Sequence, residues 1–164
     1  MRITRKQLRQ IIKEALNESP ISLAPGIYFA GIDIIGNLKH GFVYYVDRDG
    51  EIWAAHGGPE TGNPMVHGQK LVKWWERHST SDLAKASYGP VTLFKPPRDG
   101  SDDTGLATKI SDLEAAFERV PTGLTYDGRQ GPNSNSVAAF LWRSVTDNPV
   151  NVSSSMFPGI NVEI

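Results

Sequence analysis

His40-Gly-Phe-Val-Tyr-Tyr-Val46, Asp47-Arg-Asp-Gly50, Glu51-Ile-Trp-Ala-Ala-His56 reads as strand, turn, strand. Both arms are rich in β-branched and aromatic residues. Asp-Arg-Asp-Gly suits a type I turn with Gly50 in the left-handed position, giving a three-residue loop with a bulge. That turn fixes the register. Asp47 then faces Glu51, and Phe42 faces His56. His40, Phe42, Tyr44 and Val46 share a sheet face with Ile52, Ala54 and His56. The two histidines become diagonal neighbours, roughly 5–8 Å apart. A slip of one residue would send His56 to the other face.

Around this hairpin, Ile27 to Ala30 and Ile32 to Ile35 are further β-rich runs after Pro25-Gly26, and Val91 to Lys95 reads as a strand after Gly89-Pro90. Gly57 to Pro64 reads as a loop. Lys70 to Trp75 fits strand or helix. His67 and His78 lie in polar, loop-like contexts and read as surface residues. Ser111 and Glu114 have capping-box spacing and open a helix to about Arg119, burying Leu113, Ala116, Phe117 and Val120. Pro96 to Thr104 reads as loop, with Asp99-Gly-Ser-Asp-Asp103 a solvated turn that lacks calcium-loop spacing. Tyr126 anchors the connection from Pro121 to Pro132. The expected fold class is α+β, a small antiparallel sheet packed against helices.

Gly131-Pro132-Asn133-Ser134-Asn135-Ser136 hands over to the apolar run Val137-Ala-Ala-Phe-Leu-Trp142. This is a turn feeding a helix that runs to about Val145, with Val137, Phe140, Leu141 and Val145 inward. Two readings stand for Ser134. It is a capping or turn residue, since Asn and Ser favour such sites. Alternatively it is a nucleophile, because a helix N-terminus offers N–H groups and partial positive charge to an oxyanion. A serine nucleophile needs a base, and the base needs an orienting partner. His40 is the candidate base and His56 its orienter.

Bulk composition narrows the classes. The chain has 164 residues, enough for one domain with a core and a small appendage. There are no cysteines, which excludes disulfides, thiolate metal sites and a cysteine nucleophile. Two histidines with no recognisable carboxylate pattern give no metal-ligand signature, and no cofactor motif is present. No apolar run is long enough to span a bilayer, and no secretory signal precedes the body. Arg2, Arg5, Lys6, Arg9 and Lys13 precede the first acid, Glu14. Removing these five from the 17 basic residues leaves 12 against 18 acidic, so a basic arm leads an acidic body. Such a body argues against specific nucleic-acid binding. Residues 1–19 read as an amphipathic basic helix with Ile3, Leu8, Ile11, Ile12 and Leu16 on one stripe. It serves as an address or docking element, or packs on the domain at 24–164; a transit peptide has similar composition. Its first 16 residues resemble leaders of large-phage and environmental bacterial proteins.

A histidine heads a strand, a hairpin ends in a second histidine, and a long insertion precedes a polar group that starts a helix. This order resembles the circularly permuted NlpC-type branch of the papain-like fold, which includes the lecithin:retinol acyltransferase group. His40 to Val46 matches the first part, His56 sits near the third catalytic position, and Asn133-Ser-Asn-Ser-Val137 matches the nucleophile helix. Pro158-Gly159 matches a Pro-Gly near the end of bacterial relatives and polymorphic-toxin domains. The resemblance spans roughly residues 25–160, with matching motifs in about a fifth of it. It implies an acyl hydrolase or acyltransferase in which Ser134 attacks, His40 is the base, His56 orients it, and Asn133, Asn135 and Ser136 support an oxyanion. Implied substrates are peptidoglycan-type peptides or lipid acyl groups, with cell-wall amide cleavage the preferred expectation because the sequence looks bacterial or phage-borne. Ser134 stands where the family has cysteine, a stronger nucleophile. The alternative is therefore an inactive binding, structural or cargo protein of a phage or contractile injection particle, or a toxin acting otherwise. The expected localisation is synthesis in the cytoplasm with possible loading into such a particle.

Overall fold

A computed structural model describes residues 23–63, 68–97 and 103–164. The basic helix expected over 1–19, His67 and most of the acidic turn at 99–103 lie outside the described residues. Five strands, β1 Gly26–Ile35, β2 Leu38–Val46, β3 Ile52–Pro59, β4 Leu71–His78 and β5 Tyr88–Phe94, form one antiparallel sheet in the order β4-β3-β2-β1-β5. Among the described residues three helices accompany it: α1 Thr80–Leu83, α2 Asp103–Arg119 and α3 Ser134–Val145. The architecture is α+β, a small sheet packed against helices. Among the described residues, no helix is long and apolar enough to cross a membrane.

The hairpin has the register its turn dictates. Val43 faces Ala55, Tyr44 faces Ala54, Tyr45 faces Trp53 and Val46 faces Ile52. The Asp47 N–H donates to Glu51 O at 3.0 Å, and Gly50 takes φ +81°.

Alternation divides the sheet into two faces. Ile27, Phe29, Val43 and Ala55 point to one side, where they meet Leu113, Ala116 and Phe117 of α2 and Val137, Leu141 and Val145 of α3. Phe157 and Ile160 from the C-terminal segment complete this core and are fully buried. Each fully buried aliphatic or aromatic side chain here contributes about 1.5–3 kcal/mol. Tyr28, Ala30, Phe42, Tyr44, Ile52 and Ala54 point to the other side, where Leu83 of α1 covers part of them.

Three local expectations change. First, α2 begins at Asp103 rather than at Ser111. The apolar stripe extends back through Ile110 to Leu106, which is 3% exposed. Gly105 in the new first turns costs only about 1 kcal/mol of helix propensity, less than burial of Leu106 returns. Second, β3 continues through Gly57, Gly58 and Pro59, which pair with Lys73, Val72 and Leu71 of β4. These glycines are strand residues because larger side chains occupy their space: a Cβ on Gly57 would lie 2.5 Å from Val137 Cγ2. Third, residues 71–78 are strand, so His78 ends β4 rather than sitting in a loop.

Candidate functional site

The start of α3 is built first by its own sequence. Asn133 is the N-cap, in extended conformation, and its Oδ1 accepts from the N–H groups of Asn135 at 2.9 Å and Ser136 at 3.1 Å. Ser136 Oγ reciprocates by accepting from the Asn133 N–H at 2.7 Å. Asn133 Nδ2 donates to Asp127 O and Pro158 O. Gly159 takes φ +79°, and a Cβ there would lie 2.3 Å from Asn133 Nδ2. The Pro158-Gly159 pair is therefore the seat of the cap.

Asn135 joins this helix to the sheet. Its Oδ1 accepts from the Gly41 N–H at 2.7 Å, and its Nδ2 donates to Lys39 O at 3.1 Å and Pro158 O at 3.0 Å. Asn133, Asn135 and Ser136 thus spend their side chains on capping and docking. Two of the first-turn N–H groups, those of Asn135 and Ser136, are satisfied inside the cap. Ser134 is itself buried, and its side chain lies near enough to Tyr126 to oppose the effect of burial on that phenol.

The histidines lie on the opposite face of β2 and β3. Gly41 presents its Cα to Asn135 and Phe29, so its neighbour His40 points away from α3. His40 Nε2 lies 3.3 Å from His56 Nδ1, with ring centroids 5.2 Å apart. That separation is the diagonal one the hairpin register requires. Trp74 of β4 stacks on the far side of His56, 5.2 Å between centroids at 29°, and fixes its ring plane. Beyond it, His56 Nε2 faces Glu76 Oε2 at 3.7 Å, and His78 Nε2 faces the same oxygen at 3.8 Å. His40, His56, Glu76 and His78 line a cavity of about 460 Å³ with Phe42 and Ala54. Burial pushes His40 well below the usual imidazole range, to about 3, and the neighbouring His56 charge adds to this. Burial also lowers His56, against the opposing pull of Glu76.

Among the described residues no hydrogen bond joins Ser134 to either histidine. Tyr126 stands between them. It is 4% exposed, lines one hollow with Ser134 and Asn135, and lines a second, about 470 Å³, together with His40, His56, Trp74 and Glu76. Burial raises the Tyr126 phenol, so it stays protonated near neutrality. Ile32 and Ile34 line this hollow beside Asp33 and are 36% and 38% exposed, with Ile35 and Leu38 exposed on the β1–β2 hairpin.

The sequence pattern brought forward His40, His56 and Ser134 but passed over Tyr126, Glu76 and His78. The signal for the last two was alternation. With 71–78 taken as strand, Trp74, Glu76 and His78 share the face of His56. Comparison with protein-family models, curated proteins and solved structures finds no significant match.

Proposed function

We propose that the chain is an acyl hydrolase or acyltransferase whose base is the His40–His56 pair. The observation that carries this is the 3.3 Å contact between the two imidazoles, continued by Glu76 and opening on a hollow. In the productive tautomer His40 Nε2–H donates to His56 Nδ1, and His56 Nε2–H points at the Glu76 carboxylate. His40 Nδ1 then keeps its lone pair for a proton. Ser134, at the first turn of α3, attacks an amide or ester carbonyl. Its proton leaves through the Tyr126 hydroxyl toward His40. The leaving group takes that proton back, and water or an acceptor alcohol releases the acyl group from Ser134. The exposed isoleucines at the rim favour a lipid acyl group over a peptidoglycan-type amide as substrate.

A serine-reactive fluorophosphonate tests this. Mass addition at Ser134, lost in Ser134→Ala and strongly slowed in His40→Gln and Tyr126→Phe, is the expected result. One observation favours a second reading, a non-catalytic binding module: two of the three first-turn N–H groups are already capped by Asn133. Under that reading no adduct forms, and neither ester nor peptide panels are cleaved. The N-terminal basic segment would then serve as the docking element on a phage or injection particle.

A further inference from the structure

His56, Glu76 and His78 belong to two adjacent strands and one sheet face. Their side-chain ligand atoms lie within 4.8 Å of one another. His78 Nε2 is buried and has no hydrogen-bond partner among the described residues. Leaving a buried imidazole nitrogen without a partner is unfavourable, so something is expected to meet it. The acyl-transfer reading makes no use of His78.

We propose that His56 Nε2, Glu76 Oε2 and His78 Nε2 form a site for a divalent transition-metal ion of the zinc type, with an open position facing the cavity. Two imidazoles and one carboxylate are the donor set of three-ligand zinc centres, which keep the fourth position for water or substrate. Ligand bonds of about 2.0–2.1 Å in a tetrahedron place donor atoms about 3.3 Å apart. The separations of 3.7 and 3.8 Å from Glu76 Oε2 need to close by a few tenths of an ångström, and all three ligand atoms lie within 4.8 Å of one another. Glu76 is half exposed and swings without moving backbone. The site also has the outer support that metal-binding histidines use. A metal on His56 Nε2 requires the proton on Nδ1, and that N–H then donates to His40 Nε2, 3.3 Å away. Trp74, stacked on His56 and seated over Gly58, holds the ring in that plane.

One consequence rests on the acyl-transfer reading; the site itself does not. Metal binding reverses the proton arrangement of the pair. His40 then accepts at Nε2 and carries its own proton on Nδ1, so it no longer serves as a base. Zinc therefore inhibits the serine chemistry.

The test uses the untagged full chain, freed of metal with a chelator. Co²⁺ is added and visible absorption followed, and Zn²⁺ affinity is measured by competition with a chromophoric chelator. One equivalent of Co²⁺ with the intense d–d bands of a four- or five-coordinate site is expected. His78→Ala and Glu76→Gln should each raise the dissociation constant by about 100-fold or more, and His40→Ala by about 10-fold, with His40→Gln restoring most of it because it keeps an acceptor. Thermal melts in chelator check that each variant folds; if His78→Ala does not, the near-isosteric Glu76→Gln decides. Absence of stoichiometric binding, or binding unchanged in Glu76→Gln and in folded His78→Ala, overturns the site. The readout needs no turnover: a cobalt spectrum without Ser134 labelling keeps the metal site and removes the acyl-transfer reading. Labelling that persists in zinc-saturated protein overturns the inhibitory consequence.

Discussion

Asn135 is the residue whose replacement measures how α3 is held to the sheet. It is 3% exposed, yet it makes three side-chain hydrogen bonds to backbone groups far away in sequence. In Asn135→Ala the Gly41 N–H loses its partner at a buried position. Lys39 O loses a donor as well, whereas Pro158 O keeps Asn133 Nδ2. One orphaned buried donor and one weakened acceptor, at about 1–3 kcal/mol each, put the loss at about 2–6 kcal/mol. Asn135→Asp is the sharper perturbation. It keeps the acceptor for Gly41 but aims a second carboxylate oxygen at the carbonyls of Lys39 and Pro158, 3.1 and 3.0 Å from the present nitrogen. At neutral pH the aspartate variant should therefore be less stable than the alanine one. Burial and the two carbonyls raise the folded-state pKa of such an aspartate, because only its acid form donates. The stability of Asn135→Asp then improves as pH falls toward the ordinary carboxylate range, relative to Asn135→Ala at the same pH. Urea unfolding followed by circular dichroism gives the midpoints. A loss under 0.5 kcal/mol for Asn135→Ala, or an aspartate variant more stable than the alanine one at pH 7, would refute this account of the Asn-Ser-Asn-Ser segment.

Three further outcomes follow from the geometry. Gly57→Ala places a Cβ 2.5 Å from Val137 Cγ2; it should cost about 1–3 kcal/mol, and Val137→Ala in the same chain should recover most of it in a double-mutant cycle by urea midpoint. Lys73 Nζ donates to the last carbonyls of α2, Phe117 O at 2.7 Å and Glu118 O at 2.9 Å; Lys73→Met should lose about 1–2 kcal/mol, read as a lower thermal midpoint. His40 has a folded pKa of about 3 against about 6.5 unfolded. The unfolded chain thus binds more protons between those values, so stability from neutral His40 is fully present above pH 6.5 and falls as pH drops toward 3. In chelator, the pH dependence of the urea midpoint should flatten in His40→Gln, by at most about 1.4 kcal/mol per pH unit; an unchanged slope contradicts the burial of that imidazole.

Much of the sheet was legible because one local feature fixed a long-range one. The Asp-Arg-Asp-Gly turn set the β2–β3 register, and the register alone placed His40 beside His56. The α3 boundaries followed from the turn residues before the helix and the apolar run after it, although the cap is Asn133 and Ser134, the capping candidate of the sequence, is the first helical residue. What stayed hidden depended on partners distant in sequence. Gly57 and Gly58 look like loop residues until Val137 and Trp74 are seen to fill the space above them. Leu71 to His78 carries apolar and charged residues on both faces, so its period was ambiguous until pairing with β3 was known. With that period unread, Glu76 and His78 had no visible relation to His56. The same alternation shows why the motif and the histidines do not touch directly: Gly41 meets α3, so His40 faces away. Tyr126, expected as a structural anchor, lies where it bridges the two sides.

The central claim is that the His40–His56 pair activates Ser134. Time-resolved fluorophosphonate labelling of metal-free protein, with the adduct located by mass spectrometry, tests it most directly. The account predicts one adduct, on Ser134, forming at least tenfold more slowly in His40→Gln and in Tyr126→Phe. An adduct on Ser134 that forms at the same rate in both variants, or none in folded wild-type protein, would contradict it.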